Sequence, residues 1–178
     1  LSRILSRVAL RRAKKVIAIS NSVKRWLISS GEVPESLDMA VVPYGFSGAR
    51  FRRESAPKKK HKLPFKSNSA LKVVCVARLS PEKNLPILLK AWGRVKACAP
   101  DASLRVYGDG PQRESLFRLC QTLDLEPSEI FFGRTDDVGS VVTNAHVLVL
   151  PSLFEGFGMV LLEAMFLGVP IVASDIPI

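Results

Sequence analysis

From residue 71 onward the chain alternates short apolar runs with stretches of helical spacing, and this alternation restricts the fold more than any other feature. LKVVCVA (71–77), SLRVYG (103–108), EIFFG (129–133), HVLVL (146–150) and VPIVAS (169–174) read as strands, each rich in β-branched and apolar residues and bounded by turn formers. Between them, residues 84–97, 111–123, 136–144 and 158–167 carry helical periodicity or helix start signals. Strands separated by helices are joined by crossovers, and crossovers of that length connect parallel strands. The expected fold class is α/β, a doubly wound parallel sheet with helices on both faces. Ligands of such sheets gather at the carboxyl ends of the strands. The sequence puts Arg78, the GDG turn at 108–110, Gly133 with Arg134, and the segment 152–158 at that edge.

The first third of the chain is organised differently. Ile4, Leu5, Val8 and, more loosely, Leu1 share one side of a helix over residues 1–12, with Arg3, Arg7 and Arg11 along another. VIAIS (16–20) reads as a strand, Asn21 or Ser22 as the cap of the following helix, Gly31 with Pro34 as its end, and MAVVPYG (39–45) as a second strand running into a turn. Residues 48–69 are rich in Pro, Ser and Lys and have no apolar period, as a linker would be. The expected division is 1–47, a linker at 48–69, and a sheet domain at 70–178. The chain reads as a piece of a longer one.

Charge follows the same division. Of the formal net charge of +10, residues 1–66 hold 16 Lys and Arg against 4 Asp and Glu, and the remainder holds 10 against 12. A basic block of this kind suits nucleic acid, anionic lipid, a phosphorylated substrate, or a solvated face with no partner. No nucleic-acid motif accompanies it, and Trp26, Tyr44, Phe46, Phe51 and Phe65 are scattered rather than set as a stacking platform, so nucleic acid is not an expected partner. Two readings of the front stay open: the 1–12 helix and the Lys-rich stretch 58–66 dock on an anionic membrane, or the apolar face of that helix belongs to an absent neighbouring domain.

Cys75, Cys98 and Cys120 are far apart and odd in number, which indicates free thiols in a reducing compartment. The expected location is cytoplasmic, with peripheral contact to the inner face of a membrane as the additional option. No apolar run reaches membrane-spanning length. His61 and His146 lack partners at ligand spacing, and the adjacent Asp136 and Asp137 suit the start of a short helix. No metal and no cofactor is implied.

The segment with the most chemistry is PSLFEGFGMVLLEA (151–164). Gly156 and Gly158 leave the backbone unobstructed where a helix begins, so that amide N–H groups and the helix dipole can face a diphosphate, with Phe157 between them. Glu155 sits in the turn, and Glu163 lies five residues beyond Gly158, a rise of roughly 7 to 8 Å, suited to hydroxyls further along a nucleotide. Arg78 and Lys83, in VARLSPEKN (76–84), offer a fork of donors and a mobile point charge on one strand-to-helix loop.

These segments resemble the donor-binding signature of retaining, nucleotide-sugar-dependent glycosyltransferases of the GT-B fold, the group 1 or glycogen-synthase-like family. The resemblance runs from about residue 9 to the end, with RRAKKVIAISNSVKRWL and VVPYGF similar to the end of that family's N-terminal domain and the passage into its second. It implies a Rossmann-like donor domain, the C-terminal half of a GT-B fold, preceded by a remnant of the N-terminal one. It further implies Arg78 and Lys83 on the donor diphosphate, the backbone at Gly133 and Arg134 near the base, Glu155 at the sugar as the catalytic-site carboxylate, Gly156, Phe157 and Gly158 in the donor loop, and Glu163 on the ribose. Ser47 stands where the family commonly has an acidic residue. The implied activity is transfer of a sugar from a nucleoside diphosphate to a carbohydrate or lipid-linked acceptor with retention of configuration. The alternatives are a noncatalytic sugar-nucleotide-binding or membrane-docking fragment, or an epimerase or phosphorylase on the same fold.

Overall fold

The structure, a computed structural model, describes residues 8–10, 12–48 and 70–176. The linker read at 48–69 therefore lies almost wholly outside the described residues. So does most of the 1–12 helix, of which Val8, Ala9, Leu10 and Arg12 are helical. The chain divides into two compact units, Leu1–Phe46 with Glu155–Gly158 and Ile176–Ile178, and Ser47–Phe154 with Met159–Asp175.

The larger unit is built on four parallel strands: β3 (Lys72–Val76), β4 (Ser103–Tyr107), β5 (Val147–Leu150) and β6 (Ile171–Ala173), in the order β4-β3-β5-β6. Strand β3 pairs with β4 from Lys72 opposite Ser103 to Val76 opposite Tyr107, and with β5 through Val73 and Val74. The chain first builds outward from β3 to β4 and then returns to the other side of β3 for β5. That reversal creates a switch point between β3 and β5, the place where loops diverge and a crevice opens on such sheets.

The period-2 alternation of each strand sorts its side chains between two faces. Val73, Cys75, Leu104 and Val106 face one side and form a core with helix α2 (Leu85–Cys98) and helix α3 (Arg113–Thr122). Helix α2 offers Leu85, Leu88, Leu89 and Trp92, an i, i+3, i+4, i+7 stripe, and α3 offers Leu116 and Cys120 one turn apart. On the opposite face Ser103, Arg105 and Tyr107 border a groove whose other wall is helix α5 (Val138–Thr143). Asp137 caps α5 by accepting from the Ser140 N–H at 2.8 Å. His146 joins the sheet as a structural residue, its Nδ1 accepting from the Lys72 N–H at 3.0 Å.

One expected strand is largely missing. Within EIFFG, Glu129 and Ile130 close the short helix α4 (Pro127–Ile130), and Phe131 keeps a single parallel bridge to Val106. The cause is local. Pro127 occupies the first helical position, where its missing N–H costs nothing, and the Glu126 carboxylate accepts from the Ser128 N–H at 3.2 Å. The remaining elements of the larger unit sit within two residues of their expected bounds. Helix α6 (Met159–Leu167) is apolar all round apart from Glu163 and buries Ala164 and Leu167.

In the smaller unit β1 (Val16–Ala18) and β2 (Met39–Val41) pair in parallel around helix α1 (Asn21–Ser29). The cap of α1 is Ser20, one residue before the expected Asn21 or Ser22; its hydroxyl accepts from the Val23 N–H at 3.2 Å. Gly31, at φ 69°, ends the helix as expected. Among the described residues no helix is long and apolar enough to cross a membrane.

The three thiols differ sharply in environment. Cys98 is exposed, whereas Cys75 and Cys120 are buried. Burial pushes the Cys75 thiol up to about 12, with the Lys83 ammonium pulling modestly the other way. Burial raises Cys120 to about 11, with Glu126 adding to the rise. A raised folded-state value favours the folded chain fully below 9.0, the ordinary thiol value, and that contribution is lost as pH climbs from there towards 12. Titration with a chromogenic disulfide near pH 8 should give one fast thiol equivalent in the native state, from Cys98, and all three in denaturant. Rapid labelling of Cys75 in the folded chain would contradict this packing.

Candidate nucleotide-sugar site

The edge formed by the carboxyl ends of β3 and β4 is held together by backbone. Ala77 N–H donates to the Tyr107 carbonyl at 2.9 Å, Leu79 N–H to the Asp109 carbonyl at 3.0 Å, and Gln112 N–H to the Leu79 carbonyl at 2.9 Å. One strand further out, Gly108 N–H donates to the Gly133 carbonyl at 2.7 Å and Phe132 N–H to the Val106 carbonyl at 2.9 Å. Three loops that are distant in sequence are thereby stitched into one surface.

The stitching is possible only because the GDG turn has no side chains facing inward. A Cβ on Gly108, whose φ is +146°, would land on the Ala77 carbonyl oxygen. A Cβ on Gly110 would stand 2.5 Å from the Leu79 carbonyl oxygen and 2.8 to 2.9 Å from its carbonyl carbon and nitrogen. Asp109 between them folds back, accepting from its neighbour's N–H (Gly110) at 2.8 Å and pairing with Arg113 at 4.0 Å. Both of those groups are exposed, so the ion pair adds little to stability.

A cleft of about 570 Å³ opens at this edge, lined by Val76, Ala77, Arg78, Tyr107, Gly108, Asp109, Gly110, Arg134 and Thr135. Arg78 and Arg134, assigned from sequence to the same ligand, thus reach one cavity from two loops 56 residues apart in the chain. Two guanidinium forks bordering one open cleft suit a phosphate-bearing ligand. Gly133 takes φ +72° and lends its carbonyl to the GDG turn. Tyr107 and Thr135 also line the cleft and escaped the sequence reading; their only signal was a place at a strand end or just beyond Arg134.

Lys83 closes the short 3-10 turn Pro81–Lys83 that follows Arg78 on the same loop. Its positive charge opposes the rise that burial imposes on the Cys75 thiol. The next residue, Asn84, takes a left-handed conformation at φ 50°, which redirects the chain into α2. Glu163 lies half-buried in α6, a helix that begins directly after Gly158.

The loop Glu155–Gly158 packs within the smaller unit. Phe157 meets Tyr44 edge to face, with centroids 5.8 Å apart. A Cβ on Gly156 would stand 3.0 Å from the Ile19 side chain, and Gly158 takes φ +68°. Glu155 keeps only 8% of its surface exposed. A carboxylate in a turn at a strand-to-helix edge is expected to be open to water; here Glu155 is buried instead, in a loop whose Phe157 and Gly156 pack on Tyr44 and Ile19.

The chain is thus an α/β protein whose parallel sheet carries an arginine-lined cleft at its carboxyl edge, and its fold matches about half of a GT-B glycosyltransferase structure. Residues 56–178 match the model of the family described as "Glycosyl transferases group 1", and the chain belongs to that family. Among curated relatives it is 37% identical over 103 residues to an uncharacterized glycosyltransferase of Haemophilus influenzae, covering 58% of this chain and 29% of the relative. It is 31% identical over 164 residues to a GDP-mannose-dependent monoacylated alpha-(1-6)-phosphatidylinositol monomannoside mannosyltransferase of Corynebacterium glutamicum, covering 86% and 42%. Among solved structures, Anabaena HepE in complex with UDP-glucose superposes with a TM-score of 0.74 at 28% identity, over 98% of this chain and 50% of that one. The chain thus spans half or less of the proteins it matches here.

The close approach of the GDG turn to Leu79 can be tested by contrast with a glycine that has room. Gly93, inside α2, would place a Cβ with nothing within 4 Å. Gly93→Ala should stabilise the chain by about 0.5 to 1 kcal/mol through helix propensity. Gly110→Ala should destabilise it by about 1 to 3 kcal/mol, the cost of overpacking. Urea unfolding read by circular dichroism checks both, and equal effects of the two would refute the close approach.

Proposed function

We propose that the chain carries the donor side of a retaining glycosyltransferase, binding a nucleoside-diphosphate sugar at the carboxyl edge of β3, β4 and β5. The observation that carries this reading is the convergence of Arg78 and Arg134 on one cleft beside the GDG turn. Loss of a nucleoside diphosphate from a sugar builds negative charge on the departing phosphate and positive charge on the ring. Arg78 and Lys83 neutralise the first, Arg78 through paired N–H donors and Lys83 as a point charge. Backbone around Gly133 and Arg134 meets the base, and Glu163 accepts hydrogen bonds from ribose hydroxyls. Glu155 lies beside the sugar, and amides of Gly156 to Gly158 at the start of α6 add to the phosphate field. In this reading the donor phosphate itself takes the acceptor proton on the same face, so retention needs no protein nucleophile.

Support comes from relatives whose names give GDP-mannose or UDP-glucose as donor or bound ligand. The acceptor side, the sugar transferred and a peripheral membrane contact belong to the whole protein and remain part of the proposal, as does a cytoplasmic location. A noncatalytic donor-binding protein is the second reading, and an assay for donor hydrolysis and transfer separates the two.

Calorimetric titration with UDP-glucose and GDP-mannose tests the assignments. Arg78→Ala and Lys83→Ala should each weaken the sugar nucleotide by about 1.5 to 3 kcal/mol, the range for hydrogen bonds to charged groups, and leave the bare nucleoside unchanged. Glu163→Ala should weaken both, because ribose is common to both. Melting temperatures should barely move, since Arg78 is exposed and Lys83 and Glu163 are half-buried. Binding should survive EDTA. Equal loss of nucleoside and sugar nucleotide in Arg78→Ala would remove the phosphate assignment.

A further inference from the structure

The loop that carries Arg78 and Lys83 is fixed on two sides. Its inner side is the seam with the GDG turn through Leu79, which is 1% exposed. On its other side the backbone carbonyl of Glu82 accepts from the Leu153 N–H at 2.8 Å. Leu153 belongs to the segment leaving β5, so this bond crosses the switch point of the sheet.

The turn that presents the Glu82 carbonyl is itself held by a side-chain bond. Ser80 is 4% exposed, and its hydroxyl donates to the Glu82 carboxylate at 2.6 Å. A buried hydroxyl without a partner is costly, so the turn is most stable when the Glu82 side chain folds back over Ser80. Backbone bonds from Ser80 N–H to the Arg78 carbonyl at 2.9 Å and from Lys83 N–H to the Ser80 carbonyl at 3.0 Å place both cations within the same braced turn. The Glu82 carboxyl is held below the usual carboxylate range, chiefly by the Ser80 hydroxyl and then by a backbone bond, with Lys83 and Arg78 adding to the effect.

We propose that the Ser80–Glu82 pair is a positioning latch: it locks the Arg78–Lys83 turn to the chain leaving β5 at Leu153 and so presets the two cations for a diphosphate. The inference rests on the donor-site reading above and assigns a role to two residues outside it. Glu82 itself carries the wrong charge to bind phosphate and contributes by holding the turn. Its cost is a negative charge beside two cations, and the geometry it imposes offsets that cost by sparing the ligand the work of ordering the loop.

The test uses the full chain, with UDP and GDP as probes and uridine and guanosine as controls. Glu82→Ala should weaken the diphosphates roughly three- to tenfold, the worth of one hydrogen bond, and leave the nucleosides unchanged. Glu82→Gln keeps an acceptor for Ser80 and should restore near-native affinity. The Ser80→Ala/Glu82→Ala double variant should be no weaker than Glu82→Ala alone, because the two act as one unit. Hydrogen exchange at the Leu153 amide should accelerate in Glu82→Ala and stay slow in Glu82→Gln. If Arg78→Ala loses diphosphate affinity while Glu82→Ala matches the native chain, the latch is wrong and the donor site stands. Failure of the native chain to bind either diphosphate overturns the donor site and the latch together. Unchanged Leu153 exchange in Glu82→Ala overturns the latch whatever the affinities show.

Discussion

Everything at the ligand edge depends on how closely the turn at 108–110 can approach the backbone at 77–79. Parallel strands end with their loops pointing the same way, and side chains normally keep such loops apart. Gly108 and Gly110 remove that spacing, and the resulting bonds from Leu79 to Asp109 and from Gln112 to Leu79 fuse two strand ends into one wall. The third loop joins through Gly108 and Gly133. Arg78 and Arg134 border the same cleft because the backbones beneath them are fused.

This arrangement puts rigidity and charge in different residues. The cations are exposed or half-buried and contribute little to folding, whereas Leu79, Ser80, Leu104 and Val106 beneath them are almost fully enclosed. Such a division lets a site concentrate positive charge without placing that charge in the core, where an unpaired ion would be very costly.

Much of the fold was legible because strand and helix periods are local. The apolar runs at 72–76, 103–107 and 147–150 and the stripe from Leu85 to Trp92 announce themselves without any knowledge of neighbours. Where the reading failed, a short-range competitor intervened. Pro127 and the Glu126 cap drew Glu129 and Ile130, the first two residues of an apparent strand, into a helix, leaving Phe131 a single bridge. Ser20 took the cap of α1 because its hydroxyl accepts from the Val23 N–H. The signature from Glu155 to Glu163 was visible as a pattern, but the burial of Glu155 was not, since its loop packs on Tyr44 and Ile19, more than 100 residues earlier.

By itself the sequence determined the succession of strands and helices outside residues 127–133, the sign and position of the cationic residues, and the family to which they point. These are set by local periodicity, glycine placement and charge, each readable within a window of about 10 to 15 residues. Only the tertiary structure decided that Arg78 shares a cleft with Arg134, that Tyr107 and Thr135 line it, and that Glu82 reaches Leu153 across the switch point. The physical reason is that a parallel sheet brings together chain segments separated by a whole crossover, and hydrogen bonds formed across such distances leave no trace in the spacing of residues along the chain.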